Sequence, residues 1–237
     1  MRPRQWLARA AAGLRELMCP RPCAVCGATL TGSEAGVCRT CLDELPATRF
    51  EAWGQNPMKE AMDGRVEIVS AFAGFFFHKG ETLREIVHQF KYDGNRLCAI
   101  EMGRELGRMA VAAGFDAPYD VLVPVPLHKA RERRRGYNQS LLLARGMAQT
   151  TGLEVRADIL TRTRNMQSQT RLSHAERAGN VRGGFGLAPR AADVAGRGLL
   201  LVDDVFTTGA TSQACLETLG GIPGVRLGLV TVGYAAG

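Results

Sequence analysis

An α/β fold, a mainly parallel sheet flanked by helices, is predicted by three features of the sequence. The run Leu199-Leu200-Leu201-Val202 places four large apolar residues in succession, the pattern of a strand buried on both faces. Stretches of extended type alternate along the chain with stretches at helical spacing, which favours parallel strands joined by helical crossovers. The apolar run ends in Asp203 and Asp204 and turns at once, through Thr207-Thr208-Gly209-Ala210-Thr211, into a new periodic stretch with Ala214, Cys215 and Leu219. An acidic strand end followed by a hydroxyl-rich turn puts a ligand site at the C-terminal edge of an open sheet.

The elements follow in chain order. Over 1–18, Trp6, Leu7, Ala10, Leu14 and Leu17, interrupted by Arg9 and Arg15, predict a basic amphipathic helix without the unbroken apolar core of a signal peptide. Residues 19–45 form a cysteine-rich module. Cys23-x-x-Cys26 and Cys38-x-x-Cys41, eleven residues apart, suit two knuckles that set four thiolates tetrahedrally about Zn²⁺. Such a short segment holds too little apolar surface to fold without a staple. Reduced structural thiols or a disulfide pair are the other readings, and Cys19 is able to replace Cys23 as a ligand. Without an export signal, a cytoplasmic location is expected, which argues against disulfides.

Residues 46–64, with Pro46, Gly54, Pro57 and Gly64, read as a linker to a larger domain over 65–237. Residues 66–77 suggest that this domain opens on an extended segment or a hairpin. Leu83, Ile86, Val87 and Phe90 fall at helical spacing, and Met102, Leu106, Met109, Ala110 and Ala113 form a second helical face stopped by Gly114. A strand is predicted over Val121 to Val125, a helix over Leu141 to Met147 closed by Gly152, and a last strand over Arg226 to Tyr234.

The turn at 207–211 offers consecutive backbone N–H groups and three hydroxyls at a helix N-terminus, the chemistry that cradles a phosphate. The neighbouring carboxylates suit sugar hydroxyls or a bridging metal, so a sugar phosphate satisfies both halves. A Walker-type nucleotide site is excluded, because no G-x-x-x-x-G-K-[ST] loop exists. A receiver domain is excluded too, since no Asp follows Asp204. An ordinary buried strand with capping aspartates does not account for the T-T-G-x-T continuation.

These thirteen residues, 199–211, resemble the phosphoribosyl-pyrophosphate (PRPP) signature of type I phosphoribosyltransferases. The rest of the chain is similar to one branch of them, the ComF family of competence-related proteins. The likeness rests on Phe90-Lys91-Tyr92-Asp93-Gly94, Val123-Pro124-Val125-Pro126-Leu127-His128 and Arg135-Gly136-Tyr137-Asn138-Gln139, then on Arg164, Gln169, Leu172, Arg177, Asn180 and Phe185. It implies a type I phosphoribosyltransferase fold behind a zinc-ribbon module. Asp203 and Asp204 would hold the ribose hydroxyls, and Thr207, Thr208, Gly209, Ala210 and Thr211 the 5′-phosphate. The loop after the Val121 strand, with Arg131, Arg135 and Gly136, would hold pyrophosphate. The polar stretch 161–184, with Arg162, Arg164, Gln169, Arg171 and Arg177, resembles the mobile loop that closes over PRPP and excludes water. Lys91 matches the family pattern, though a lysine at a helix C-terminus is also ordinary dipole compensation.

Transfer of the ribosyl group to an unidentified acceptor, with Mg²⁺ bound to PRPP, is the activity implied. The alternative is a non-catalytic PRPP or nucleotide sensor, or a single-stranded-DNA-binding protein working with DNA-uptake proteins in natural competence. A net charge of +7 favours anionic partners of either kind. An aromatic content of 6%, with only Tyr137 near the basic run 129–135, leaves a stacking platform for DNA undemonstrated. No apolar stretch in the sequence is long enough to span a bilayer. His78, His88, His128 and His174 lack metal-ligand spacing, and only His128 falls near the expected site.

Overall fold

A computed structural model describes residues 21–32, 34–50, 54–78, 82–115, 117–162 and 184–235. The helix expected over 1–18, Cys19, and the loop residues Arg164, Gln169, Arg171 and Arg177 lie outside these. Helix α1 (Arg39–Asp43) ends the cysteine-rich segment, and α2 (Pro57–Glu60) precedes strand β1 (Ser70–Phe76). Helices α3 (Thr82–Lys91) and α4 (Arg96–Ala112) lead to β2 (Val121–Pro124), then α5 (Lys129–Arg135) and α6 (Gln139–Thr151). Strands β3 (Glu154–Val155), β4 (Leu160–Arg162) and β5 (Phe185–Leu187) follow, then a 3-10 turn over Pro189–Val194. Strand β6 (Gly198–Phe206), helix α7 (Ala210–Leu219) and strand β7 (Arg226–Tyr234) complete the described fold.

The main sheet runs β1-β7-β6-β2-β3, and all its pairs are parallel. Strand β6 is central, with Leu199 beside Val121 and Leu227, and its apolar run is fully buried. From β2 the chain moves outward to β3, and from β6 it moves the opposite way to β7. Right-handed crossovers therefore put α6 and α7 on opposite faces, and the strand order reverses between β2 and β6. A crevice opens at that reversal, outside the C-terminal ends of the strands.

Small residues bring one helical layer close. A Cβ on Gly103 of α4 would lie 2.1 Å from the Leu143 carbonyl oxygen of α6, and one on Gly146 would lie 2.0 Å from that of Ile100. Contact at backbone distance fixes how α6 crosses α4, and with it where the N-terminus of α6 points.

The 46–64 segment is packed structure over its described residues, not a tether. Its prolines and glycines signal turns, but the apolar residues between them are drawn into the sheet. The segment pairs with the outer edge of β1 through an antiparallel bridge, Ala47 to Phe75, and Thr48 N–H donates to the Gly74 carbonyl at 3.0 Å. Asn56 caps α2 and donates to the Ala71 carbonyl at 2.7 Å. Phe50 lies against Phe76 and Tyr234, with centroids at 5.8 and 5.4 Å, and Met58 and Met62 are fully buried. The basic run 129–135, read as a loop, is helical because His128 Nδ1 accepts from Ala130 N–H at its start and left-handed Gly136 closes its end. The 66–77 stretch holds one strand, β1 (Ser70–Phe76), so of the two readings it is the extended segment and not the hairpin.

Gly146→Ala should destabilise the protein by about 1–3 kcal/mol, because the added methyl meets backbone and not a movable side chain. Val111→Ala, at an exposed position of α4, should stay within about 0.5 kcal/mol. Urea denaturation of the two variants checks the difference.

Candidate ligand cleft and metal centre

The crevice is a cleft of about 220 Å³ lined by Lys91, Tyr92, Val125, Pro126, Leu127, Arg131, Arg135, Gln139, Arg162, Asp203, Asp204 and Thr211. Its floor is built on β6. Asp203 and Asp204 end the apolar run and are 9% and 8% exposed. Two adjacent buried carboxylates are costly unless paired and hydrogen-bonded. Asp204 receives Lys91 Nζ at 2.9 Å, Gln139 Nε2 at 3.0 Å and Val205 N–H at 2.7 Å. Asp203 accepts from Ser140 Oγ at 3.0 Å and from Asp204 N–H at 2.9 Å. These donors leave an imbalance. Burial, then the neighbouring Asp204 charge, push the Asp203 carboxyl up to about 7.

Helix α6 supplies two of these donors from its first turn. Asn138 sets that turn: its Oδ1 accepts from Ser140 N–H at 3.0 Å, while its Nδ2 donates to the Val125 carbonyl at 3.0 Å. One side chain thus ties the helix start to the end of β2. Helix α3 contributes Lys91 from its last turn, and its position is held by Tyr137 Oη donating to the Phe90 carbonyl at 2.7 Å.

Cations face the carboxylates. Arg131 and Arg135, four residues apart, share one face of α5 and line the cleft, while Arg133 and Arg134 are exposed. Arg135 also donates to Gln139 Oε1. Arg162 enters from β4 with its guanidinium 5.0 Å from the Phe185 ring centroid. Burial, and secondly the nearby Arg131 charge, lower its proton affinity. Four cations against two carboxylates suit an anionic ligand.

The 207–211 turn lies at the cleft's edge, with Thr211 in its lining and Thr207, Thr208 and Ala210 exposed. Gly209 caps α7 in the left-handed conformation at φ 74°. A Cβ there would meet Phe206 at 2.6 Å and Met62 at 2.7 Å, so the 46–64 segment packs directly beneath the turn. Gly136 is not in the cleft lining; its carbonyl accepts from Arg96 Nη2 at 3.1 Å. His128 acts as a helix cap. Lys91, Gln139 and Arg162 line the cleft although the sequence marks them only through the family resemblance, and Ser140, buried behind Asp203, carries no signal in the sequence.

The second centre is the cysteine cluster. Sγ atoms of Cys23, Cys26, Cys38 and Cys41 all lie within 4.8 Å of one another. Cys23 to Cys41 is 3.9 Å and Cys26 to Cys38 is 3.7 Å. A tetrahedron with metal–sulfur bonds of about 2.3 Å has edges of about 3.8 Å, so the thiols fit such an ion. Burial pushes the Cys23 thiol up, but N–H groups of Cys26, Cys38 and Val25 outweigh it and hold the thiol near 7. These four cysteines form a site able to hold a metal ion.

No family model matches the chain. Competence protein F of Haemophilus influenzae is 31% identical over 141 residues, 56% of this chain and 60% of that protein. DNA utilization protein YhgH of Escherichia coli K12 is 31% identical over 202 residues, 83% of each chain. The chain belongs to the ComF family. The YhgH protein of Shigella flexneri, at 30% identity over 89% of this chain and 86% of its own, is a further relative. Among solved structures, the allosteric regulatory enzyme of purine biosynthesis aligns over 55% of this ComF chain and 25% of its own, with TM-score 0.37 and 23% identity. A Thermus thermophilus protein, TT1426, aligns over 57% of this chain and 83% of its own with TM-score 0.34 and 17% identity. At those scores the fold rests on the strand order alone: a five-stranded parallel sheet, β1-β7-β6-β2-β3, flanked by helices. Among the described residues no helix is long and apolar enough to cross a membrane.

Asp203 gives the protein a definite pH dependence. Its carboxyl holds a proton in the folded state that the unfolded chain releases above about 3.9, so stability falls as pH rises from about 4 to about 7 and stays reduced above. Asp203→Asn should therefore stabilise the protein by about 1–3 kcal/mol at pH 8 and by much less at pH 5. Thermal denaturation at the two pH values measures the difference.

Proposed function

We propose that the cleft binds PRPP and that the protein is a phosphoribosyltransferase in which zinc staples the N-terminal module. The observation that carries this reading is one arrangement: two carboxylates at the end of β6, a threonine–glycine turn beside them, and four cations opposite. A ribose fits the carboxylates through its 2′- and 3′-hydroxyls, and a terminal phosphate fits the N–H groups of 207–211. Pyrophosphate fits Arg131 and Arg135. Arg162 and Lys91 lie close enough to share its charge, Lys91 exchanging Asp204 for the ligand.

In such a site the acceptor bonds to ribose C1 while the C1–O bond to pyrophosphate breaks, the leaving group taking the electron pair. The chain contributes orientation and charge stabilisation; no side chain need act as a covalent nucleophile. Mg²⁺, a hard cation that suits pyrophosphate and hydroxyl oxygens beside the Asp203 and Asp204 carboxylates, would supply further charge neutralisation when it arrives with the ligand. A role in handling DNA is supported by what the relatives are called, and exposed Lys129, Arg133 and Arg134 offer phosphate-binding charge outside the cleft.

Calorimetric titration of PRPP with Mg²⁺ should give saturable binding by the wild type and at least a tenfold loss in Asp203→Asn/Asp204→Asn. Absence of binding by folded, zinc-loaded protein would sink the phosphoribosyl reading. Pyrophosphate release with an acceptor then separates an enzyme from a sensor.

The metal centre has its own test. Purified protein should carry one zinc per chain by elemental analysis, and Cys38→Ser should lose it along with several degrees of thermal midpoint. Full stability without bound metal would overturn the structural-zinc reading.

A further inference from the structure

Arg131 and Arg135 carry the charge assigned to pyrophosphate, yet they stand on α5, a helix that buries none of its residues. Core packing therefore does not hold this helix, and the aim of its last turn depends on side-chain contacts. The Arg135 guanidinium lies 5.6 Å from the centroid of the exposed Tyr92 ring, a weak contact in solvent. Its Nη1 also donates to Gln139 Oε1, four residues on and across left-handed Gly136. Gln139 is a firmer partner. It is 7% exposed, opens α6, and donates from Nε2 to Asp204 Oδ2 at 3.0 Å. Lys91 Nζ and Val205 N–H meet the same carboxylate at its other oxygen, Oδ1. A ribose hydroxyl that displaces Lys91 from Oδ1 therefore leaves the Gln139 bond at Oδ2 intact.

We propose that Gln139 is a positioning residue, which aims Arg135 at pyrophosphate by tying it to the Asp204 carboxylate. The proposal rests on the phosphoribosyl reading above, which gives Arg135 to pyrophosphate and Asp204 to ribose but leaves their relative placement unexplained. A primary amide carries an acceptor and a donor on one carbon, so one side chain meets a cation on one side and a carboxylate on the other. Its orientation is fixed by those neighbours. A flipped amide would set its N–H groups against the guanidinium and its oxygen against the carboxylate. Glutamate in its place would add a third carboxylate beside Asp203 and Asp204. A solvated arginine loses rotamer freedom when it grips an anion, and one already oriented loses less. The gain in anion affinity from that orientation is about three- to tenfold. Gln139 acts through Arg135 and not on the ligand.

The test is a double-mutant cycle on the full chain, with inorganic pyrophosphate as the probe and calorimetry as the readout. Arg135→Ala should weaken pyrophosphate binding at least tenfold. Arg133→Ala, equal in charge but outside the cleft lining, should weaken it far less. Gln139→Met, close in shape but without the amide, should weaken it about three- to tenfold in the wild-type background. In the Arg135→Ala background the same substitution should have no effect. Gln139→Asn, one methylene too short to reach both partners, should match Gln139→Met and serves in its place if that variant does not fold. A loss of equal size with and without Arg135 would mark Gln139 as merely structural and overturn the proposal. No loss in the wild-type background would overturn it too. If wild type does not bind pyrophosphate, or if Arg135→Ala does no more than Arg133→Ala, it is the pyrophosphate assignment beneath the proposal that falls.

Discussion

Two carboxylates buried side by side at the end of β6 are the constraint that organises this molecule. Neighbouring like charges in a low-dielectric site cannot both be satisfied by the strand that carries them. Lys91 must come from α3, and Gln139 and Ser140 from the first turn of α6. Each donor needs its own support, which Tyr137 provides for α3 and Asn138 for α6. The Gly103 and Gly146 contacts set the crossing of α4 and α6 and so locate the donors from a distance. An unbalanced charge remains even so. Proteins tolerate such local cost where a ligand is expected to complete the site.

Much of this was legible in the sequence, for identifiable reasons. Strand β6 and its acids read directly, because an apolar run of that length with a charged end fits a doubly buried strand and little else. Helices α3 and α4 read from their apolar spacing, and α6 extends beyond its periodic core because Asn138 and Gly152 cap it. Helix α5 did not read as one: it buries nothing, so it shows no periodicity, and its caps alone reveal it. Strands β3, β4 and β5 are too short for alternation to register. The partners of Asp203 and Asp204 lie 63 and 65 residues away on α6, a proximity that only packing creates.

The cysteine module is joined to the cleft by contact as well as by chain. Gly36 sits where a Cβ would come within 2.5 Å of Cys98 N, in the first turn of α4. Burial, and secondly the Cys23 charge, push the Cys98 thiol up to about 12. That turn follows directly on the one that carries Lys91 and Tyr92. Ordering the knuckles therefore orders the start of α4, and a loose metal site would be felt at the cleft's rim.

The strap formed by 46–48 along β1 has a consequence for how this protein meets other chains. A parallel sheet normally exposes rows of unpaired N–H and C=O groups at its two sides, a template for strand addition and aggregation. Here one side is sealed by the strap and by Asn56, and the other ends in a strand of two residues, Glu154 and Val155. Neither side offers a long template to an incoming strand. Among the described residues, the two sides of the five-stranded sheet are therefore poor sites for assembly by strand addition.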